Sequence, residues 1–142
     1  MSGAVRIDCA RGGEIVETVE VVPSSSSPYS LTVYRGESDG IIYPGDNLFA
    51  CLLGFRRDIE REGLVACCQG ARRNVTNSGM QAQMTGGRFV YTFDRETRTV
   101  NEETVDILAS ACPDEVVTVA EQRAAIFDFF GIRDRGGEGG ET

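Results

Sequence analysis

The segment from Pro44 to Arg73 constrains the fold most, because a strongly patterned helix is followed directly by a short apolar run. Its apolar residues recur with the period of an α-helix and form one face: Leu48, Cys51, Leu52, Phe55 and Ile59. Asp46 is the predicted N-cap, since its carboxylate can accept a hydrogen bond from an amide of the first turn. Gly63 is predicted to close the helix in the left-handed conformation. The charged residues are assigned to the other side of the helix: Arg56, Arg57, Glu60 and Arg61.

The other strands of the first half are predicted from short runs of β-branched and alternating residues. The run 64–68 is too short for a second helix and is predicted to be an inner strand. Residues 5–9 and 14–22 are each predicted to form a strand, and 29–34 alternates cleanly between apolar and polar. We expect the strands at 14–22 and 29–34 to pair as a hairpin across the proline- and serine-rich loop 23–28.

Between Arg73 and residue 80 the spacing of apolar residues predicts no helix or strand. A short helix is predicted at 80–84, where Met80 and Met84 either pack in the core, which is the usual case for this spacing, or form an adaptable contact surface. Residues 88–93 predict a strand that has Phe89, Tyr91 and Phe93 on one side.

The C-terminal third is predicted to be mainly helical. Residues 102–111 fit either a strand or a helix, and we favour the helix. Thr118 and Glu121 match a capping box, which opens a helix that ends at Gly131. The residues expected to face inward on that helix are Ala120, Ile126, Phe127 and Phe130.

These elements together predict a single α+β domain over residues 1–132. We expect a mainly antiparallel sheet of about four to five strands, with two or three helices packed on one face. Residues 133–142 contain no apolar side chain and predict a disordered tail rich in glycine and glutamate.

Composition excludes several classes of function. The chain has no histidine and no lysine, which removes Ser-His-Asp triads, Cys-His dyads, histidine-ligated zinc and the lysine of a P-loop. A net charge of −8 argues against nucleic-acid binding. The five cysteines form no CxxC pair, and no secretory signal or membrane span is recognisable, so we expect reduced thiols in a cytoplasmic protein without metal or cofactor. The sequence leaves the oligomeric state open.

One short motif carries possible chemistry. Cys67 and Arg73 are separated by five residues that include Gly70, in the form C-x-x-G-x-x-R. This pattern resembles the phosphate-binding loop of cysteine-dependent phosphatases and arsenate reductases. The resemblance implies that Cys67 is a nucleophile, that Arg73 binds phosphate and that Gly70 shapes the loop. The alternative is architectural, with Cys67 and Cys68 as buried strand residues.

Two hypotheses of function follow. The first is a small acidic module that binds another protein without catalysis, similar to an immunity protein or antitoxin that neutralises a basic partner. The second is a phosphatase-like or anion-binding protein that uses Cys67 and Arg73. In an intermediate case, Gly70, Arg72 and Arg73 bind an anion or a partner's carboxylates without catalysis.

Overall fold

A computed structural model of the chain describes residues 3–131, except for the side chain of Gln81. The strands are β1 (Val5–Arg11), β2 (Glu14–Pro23), β3 (Tyr29–Arg35), β4 (Ile41–Gly45), β5 (Val65–Cys67), β6 (Val75–Thr76), β7 (Phe89–Asp94) and β8 (Thr99–Asp106). The helices are α1 (Leu48–Glu60), α2 (Met80–Met84) and α3 (Val119–Phe130). The predicted α+β fold is confirmed. The predicted tail at 133–142 lies outside the described residues.

Five strands form an antiparallel sheet in the order β4-β3-β2-β1-β5. The predicted hairpin across the serine loop is confirmed, because β2 and β3 pair from Val19 opposite Arg35 to Pro23 opposite Leu31. A second, smaller sheet in the order β6-β7-β8 was not predicted. Helix α1 packs on the five-stranded sheet and buries the whole predicted apolar face of the helix.

The ends of α1 are only partly as predicted. The N-cap is Asn47, whose Oδ1 accepts a hydrogen bond of 2.8 Å from the amide of Ala50, so the assignment to Asp46 is wrong. Gly63 has the predicted left-handed conformation, with φ of +80°. Arg56 was assigned to the outer side of the helix, but it is only 1% exposed.

Strand β5 lies at the end of the larger sheet, so its prediction as an inner strand is wrong. Ala66 and Cys67 of this strand are nevertheless buried, because residues 107–111 cover this end of the sheet. The amide of Ala111 donates to the carbonyl of Cys67, and Cys68 forms an isolated bridge with Ser110. A single apolar run does not reveal whether its neighbour is a strand or a covering loop.

The prediction of a helix at 102–111 is wrong, since most of this segment belongs to β8 or to the loop that follows it. Pairing with β7 stabilises the strand despite the helix-favouring glutamates. Strand β7 forms as predicted, but its aromatic residues do not share one environment. Phe93 is buried, with its ring stacked on that of Phe129, whereas Phe89 is exposed.

Both halves of the predicted capping box of α3 form, and Gly131 ends the helix with φ of +72°. The predicted inward face is wrong. The buried residues are Gln122, Ala125 and Phe129, whereas Ala120 and Phe130 are exposed and Ile126 and Phe127 are half-buried. Phe129 turns inward because its ring stacks on Phe93, with centroids 4.2 Å apart.

Candidate functional site

Cys67 ends β5 opposite Asp8 of β1 and is 2% exposed. Burial raises the pKa of its thiol, and the negative charge of Asp8 raises it further. A nucleophilic cysteine needs the opposite environment, a lowered pKa and access to substrate. The adjacent Cys68 is also buried, which raises the pKa of its thiol to about 12.

The backbone amides after Cys68 are already engaged. Gln69 and Gly70 donate to the carbonyls of Ala109 and Ile107 at 2.8 and 2.9 Å. The amides of Ala71 and Arg72 donate to carbonyls within the same short 3₁₀ turn. A phosphate-binding loop holds phosphoryl oxygens with such amides. The hydrogen bonds of these four amides therefore weigh against an anion cradle in this loop.

The three predicted anion ligands do not converge. Gly70 is buried, and the Nη1 atom of Arg72 donates to Oε1 of Gln69 at 2.7 Å. Arg73 is exposed, and its charge contributes to a lowered pKa of Glu121, mainly the result of a backbone hydrogen bond from Thr118. The segment from Cys67 to Arg73 thus contains two buried thiols, one engaged arginine and one solvent-exposed arginine.

The buried polar centre of the molecule is instead the pair formed by Arg56 of α1 and Gln122 of α3. Nη1 of Arg56 donates to Oε1 of Gln122 at 2.6 Å, and Nη2 donates to the carbonyl of Val117 at 2.9 Å. Nε2 of Gln122 donates to the carbonyls of Gly70 and Arg72 at 2.8 and 2.7 Å. This network ties α1, α3 and the Cys67–Arg73 loop together.

The charge of Arg56 has no carboxylate hydrogen-bonded to it among the described residues, and its buried Nε has no hydrogen-bond partner there. Burial lowers the pKa of the guanidinium. The sequence contained a pattern from which the burial of Arg56 could have been predicted. Arg56 lies four residues after Leu52 and three before Ile59, which places it on the apolar stripe of α1.

The β7–β8 hairpin exposes more carboxylates than arginines, and these carboxylates form its acidic surface. Arg95 pairs with Asp128 of α3 at 3.7 Å, and Arg98 donates to the carbonyl of Phe129 at 2.9 Å. Both arginines of the connecting turn are therefore engaged with α3. Four exposed carboxylates of this hairpin have no ion pair among residues 3–131: Asp94, Glu96, Glu102 and Glu103.

Helix α2 presents an apolar surface that was predicted to be core. Met80 and Met84 are each 73% exposed, so the prediction that they pack inside is wrong. Met84 lines an open depression of about 340 Å³ together with the exposed Phe89 and the half-buried Tyr29. Flexible methionine side chains suit contact with an adaptable partner surface.

No protein-family model matches this chain, and the search of curated proteins found no match. Within the described part of the chain, no helix is long and apolar enough to cross a membrane. The same residues include no group of three or more histidine, cysteine or acidic side chains arranged to hold a metal ion.

Proposed function

We propose that this chain is a protein-binding module without catalysis, and that its partner is a basic protein of the kind neutralised by immunity proteins or antitoxins. The single observation that carries the proposal is the acidic surface of the β7–β8 hairpin. Its two arginines are engaged with α3, while Glu96, Glu102 and Glu103 stay exposed. Such a surface attracts a positively charged partner and accelerates association.

The distribution of charge over the rest of the molecule supports the same proposal. Most of the described arginines have internal partners, such as Arg35 with Glu17 and Glu62 and Arg88 with Asp106. Most of the exposed carboxylates among residues 3–131 have no ion pair. The exposed methionines of α2 add apolar area, and an interface generally needs an apolar centre as well as charge.

The proposal is tested by immobilising the protein, capturing partners from a lysate of the source organism at low ionic strength, and purifying the main captured protein. Its dissociation constant is then measured as ionic strength rises. The variant Glu96→Gln/Glu102→Gln/Glu103→Gln is expected to weaken binding about tenfold, because each exposed charge pair contributes about 0.5 kcal/mol. Higher salt is expected to reduce the difference in dissociation constant between this variant and the unchanged protein, because it screens the charges.

The matched control is Glu14→Gln/Glu20→Gln/Glu37→Gln, which removes the same charge from exposed positions on β2 and in the turn after β3. This control is expected to change the affinity less than twofold, because charges outside the interface act on the partner only through the overall charge of the protein. The proposal would be contradicted if the two variants lost the same affinity or if the main captured protein were acidic. An affinity that did not depend on salt would contradict it as well.

A further inference from the structure

A cleft of about 300 Å³ lies between α1 and α3, and none of its lining residues belongs to the Cys67–Arg73 loop. Apolar side chains from both helices line it: Phe49, Leu53, Val119, Ile126 and Phe127. Phe49, Leu53 and Arg57 follow one another at intervals of four residues, so they run about 12 Å along one side of α1. Leu53, Ile126 and Phe127 are only half-buried and thus contribute uncovered apolar surface to the cleft.

The polar side chain among the buried lining residues already has hydrogen-bond partners within the protein. Gln122 lines the cleft, but its Nε2 donates to two backbone carbonyls and its Oε1 accepts from Arg56. A molecule in the cleft therefore gains most from apolar contact. The part of the ligand that enters must be hydrocarbon.

Both remaining lining residues are cationic. Arg57 is exposed and has no ion pair among the described residues, and the guanidinium of Arg123 lies over the Phe127 ring, 4.9 Å from its centroid. Two arginines beside one apolar cleft are a local exception in a chain of net charge −8. A guanidinium pairs readily with a carboxylate and can do so bidentately.

We propose that this cleft binds a small amphipathic carboxylate, such as a medium-chain fatty acid. The hydrocarbon tail lies against Leu53, Ile126 and Phe127, and the carboxylate pairs with Arg57 or Arg123 outside the apolar surface. At about 300 Å³ the cleft is larger than an apolar cavity of about 150 Å³ that accommodates benzene, so a short acyl chain fits. A peptide helix, about 10 Å across, exceeds this space. The proposal is independent of the protein partner proposed above.

The test is isothermal titration calorimetry of the full chain with octanoate, octanol and octylammonium, all below their micellar concentrations. Octanoate is expected to bind with one-to-one stoichiometry. Octylammonium is expected to bind at least about tenfold more weakly, because its charge is repelled by the two arginines. Octanol is expected to lie between them, since it keeps the tail and lacks the charge.

Two variants locate the site. Arg57→Gln/Arg123→Gln is expected to weaken octanoate binding about tenfold and to leave octanol binding within twofold. The matched control is Arg6→Gln/Arg61→Gln, which removes the same charge at exposed positions outside the cleft lining. Leu53→Trp fills the cleft and is expected to abolish binding of both ligands, and circular dichroism confirms that each variant is folded.

Three results would overturn the proposal: equal affinity for the three ligands, an equal effect of the two arginine pairs, or undiminished binding to a folded Leu53→Trp variant. Absence of octanoate binding would also overturn it. In that case the cleft would be open only to a side chain of a partner protein.

Discussion

At the scale of single residues, Gly70 explains why the Cys67–Arg73 loop contains a glycine without invoking an anion. A Cβ atom at this position would lie 2.6 Å from Cδ2 of Leu52 and 2.8 Å from Cβ of Ile107. These distances are too short for carbon atoms, and both neighbours belong to the core. The glycine therefore permits close packing of the loop between α1 and the segment after β8.

The variant Gly70→Ala is expected to lower the free energy of unfolding by about 1–3 kcal/mol, the usual cost of overpacking a core. Urea denaturation measures this change. The control is Gly54→Ala in the middle of α1, where the added Cβ meets only Tyr43, at an ordinary 3.5 Å. That change is expected to stabilise the protein by up to about 1 kcal/mol through helix propensity. Equal effects at the two glycines would refute the packing argument.

The cysteines are expected to differ in reactivity according to burial. Iodoacetamide should label the exposed Cys112 in the folded protein, whereas Cys67 and Cys68 should label only upon unfolding. Mass spectrometry after alkylation with and without urea distinguishes the sites. Rapid labelling of Cys67 near neutral pH, blocked by phosphate, would instead support the phosphatase-like alternative.

The residue-level prediction from sequence succeeded for the apolar face of α1 and failed for Arg56. Apolar periodicity identifies which side of a helix is buried, but an arginine is normally assigned to solvent. Arg56 is buried because Gln122 and two backbone carbonyls supply its hydrogen bonds, and those groups lie far away in the sequence. The position of Arg56 on the apolar stripe of α1 indicates burial, but no local pattern identifies the distant groups that supply its hydrogen bonds.

At the scale of elements, the contact between Arg56 and Gln122 joins α1 to α3. Gln122→Leu is expected to lower the free energy of unfolding by about 3 kcal/mol or more, because it removes a hydrogen-bond acceptor from a buried charge and a donor from two carbonyls. Arg56→Met/Gln122→Leu is expected to cost less than the sum of the two single changes. A double-mutant cycle in urea measures the coupling.

Additive effects in this cycle would show that the two side chains do not depend on each other. A suitable reference pair is Arg61→Met with Asp58→Leu, since this surface ion pair spans 3.5 Å and is exposed at Arg61. Its coupling is expected to stay below about 1 kcal/mol. The contrast separates the effect of burial from the effect of charge.

Elements defined by local signals were predicted well, and elements defined by distant pairing were not. The capping box of α3 and the hairpin of β2 with β3 follow from neighbouring residues. Strand β8 depends on its ladder with β7, and its glutamates favour a helix when considered alone. For the candidate site, the sequence predicted a strand through Cys67 followed by a glycine-containing loop, but the hydrogen bonds of this segment to residues 107–111 follow only from the tertiary structure.

At the scale of the whole molecule, buried thiols make stability depend on alkaline pH. Burial raises the pKa of Cys9 and of Cys68 from 9.0 to about 12 in each case. The folded protein therefore favours the neutral thiols more than the unfolded chain does. This contribution is fully present below pH 9 and is lost as pH rises from 9 toward 12.

The free energy of unfolding is expected to fall by up to about 1.4 kcal/mol per pH unit for each thiol above the unfolded pKa. Urea denaturation at a series of alkaline pH values measures the slope. Cys68→Ala should reduce the slope, whereas Cys112→Ala, at an exposed position, should leave it unchanged. An unchanged slope in Cys68→Ala would contradict the assignment to this thiol.

The long separation between Arg56 and Gln122 has a consequence for protein synthesis. Gln122 is added to the chain 66 residues after Arg56, which takes several seconds at about 5–20 residues per second. During this interval the guanidinium lacks the partner that it has in the finished core, and hydration is its most favourable state. We therefore expect α1 to stay loosely packed on the five-stranded sheet of the ribosome-bound chain until Gln122 has been synthesised. Synthesis of α3 then supplies the acceptor, Gln122, that fixes Arg56 of α1 in the core.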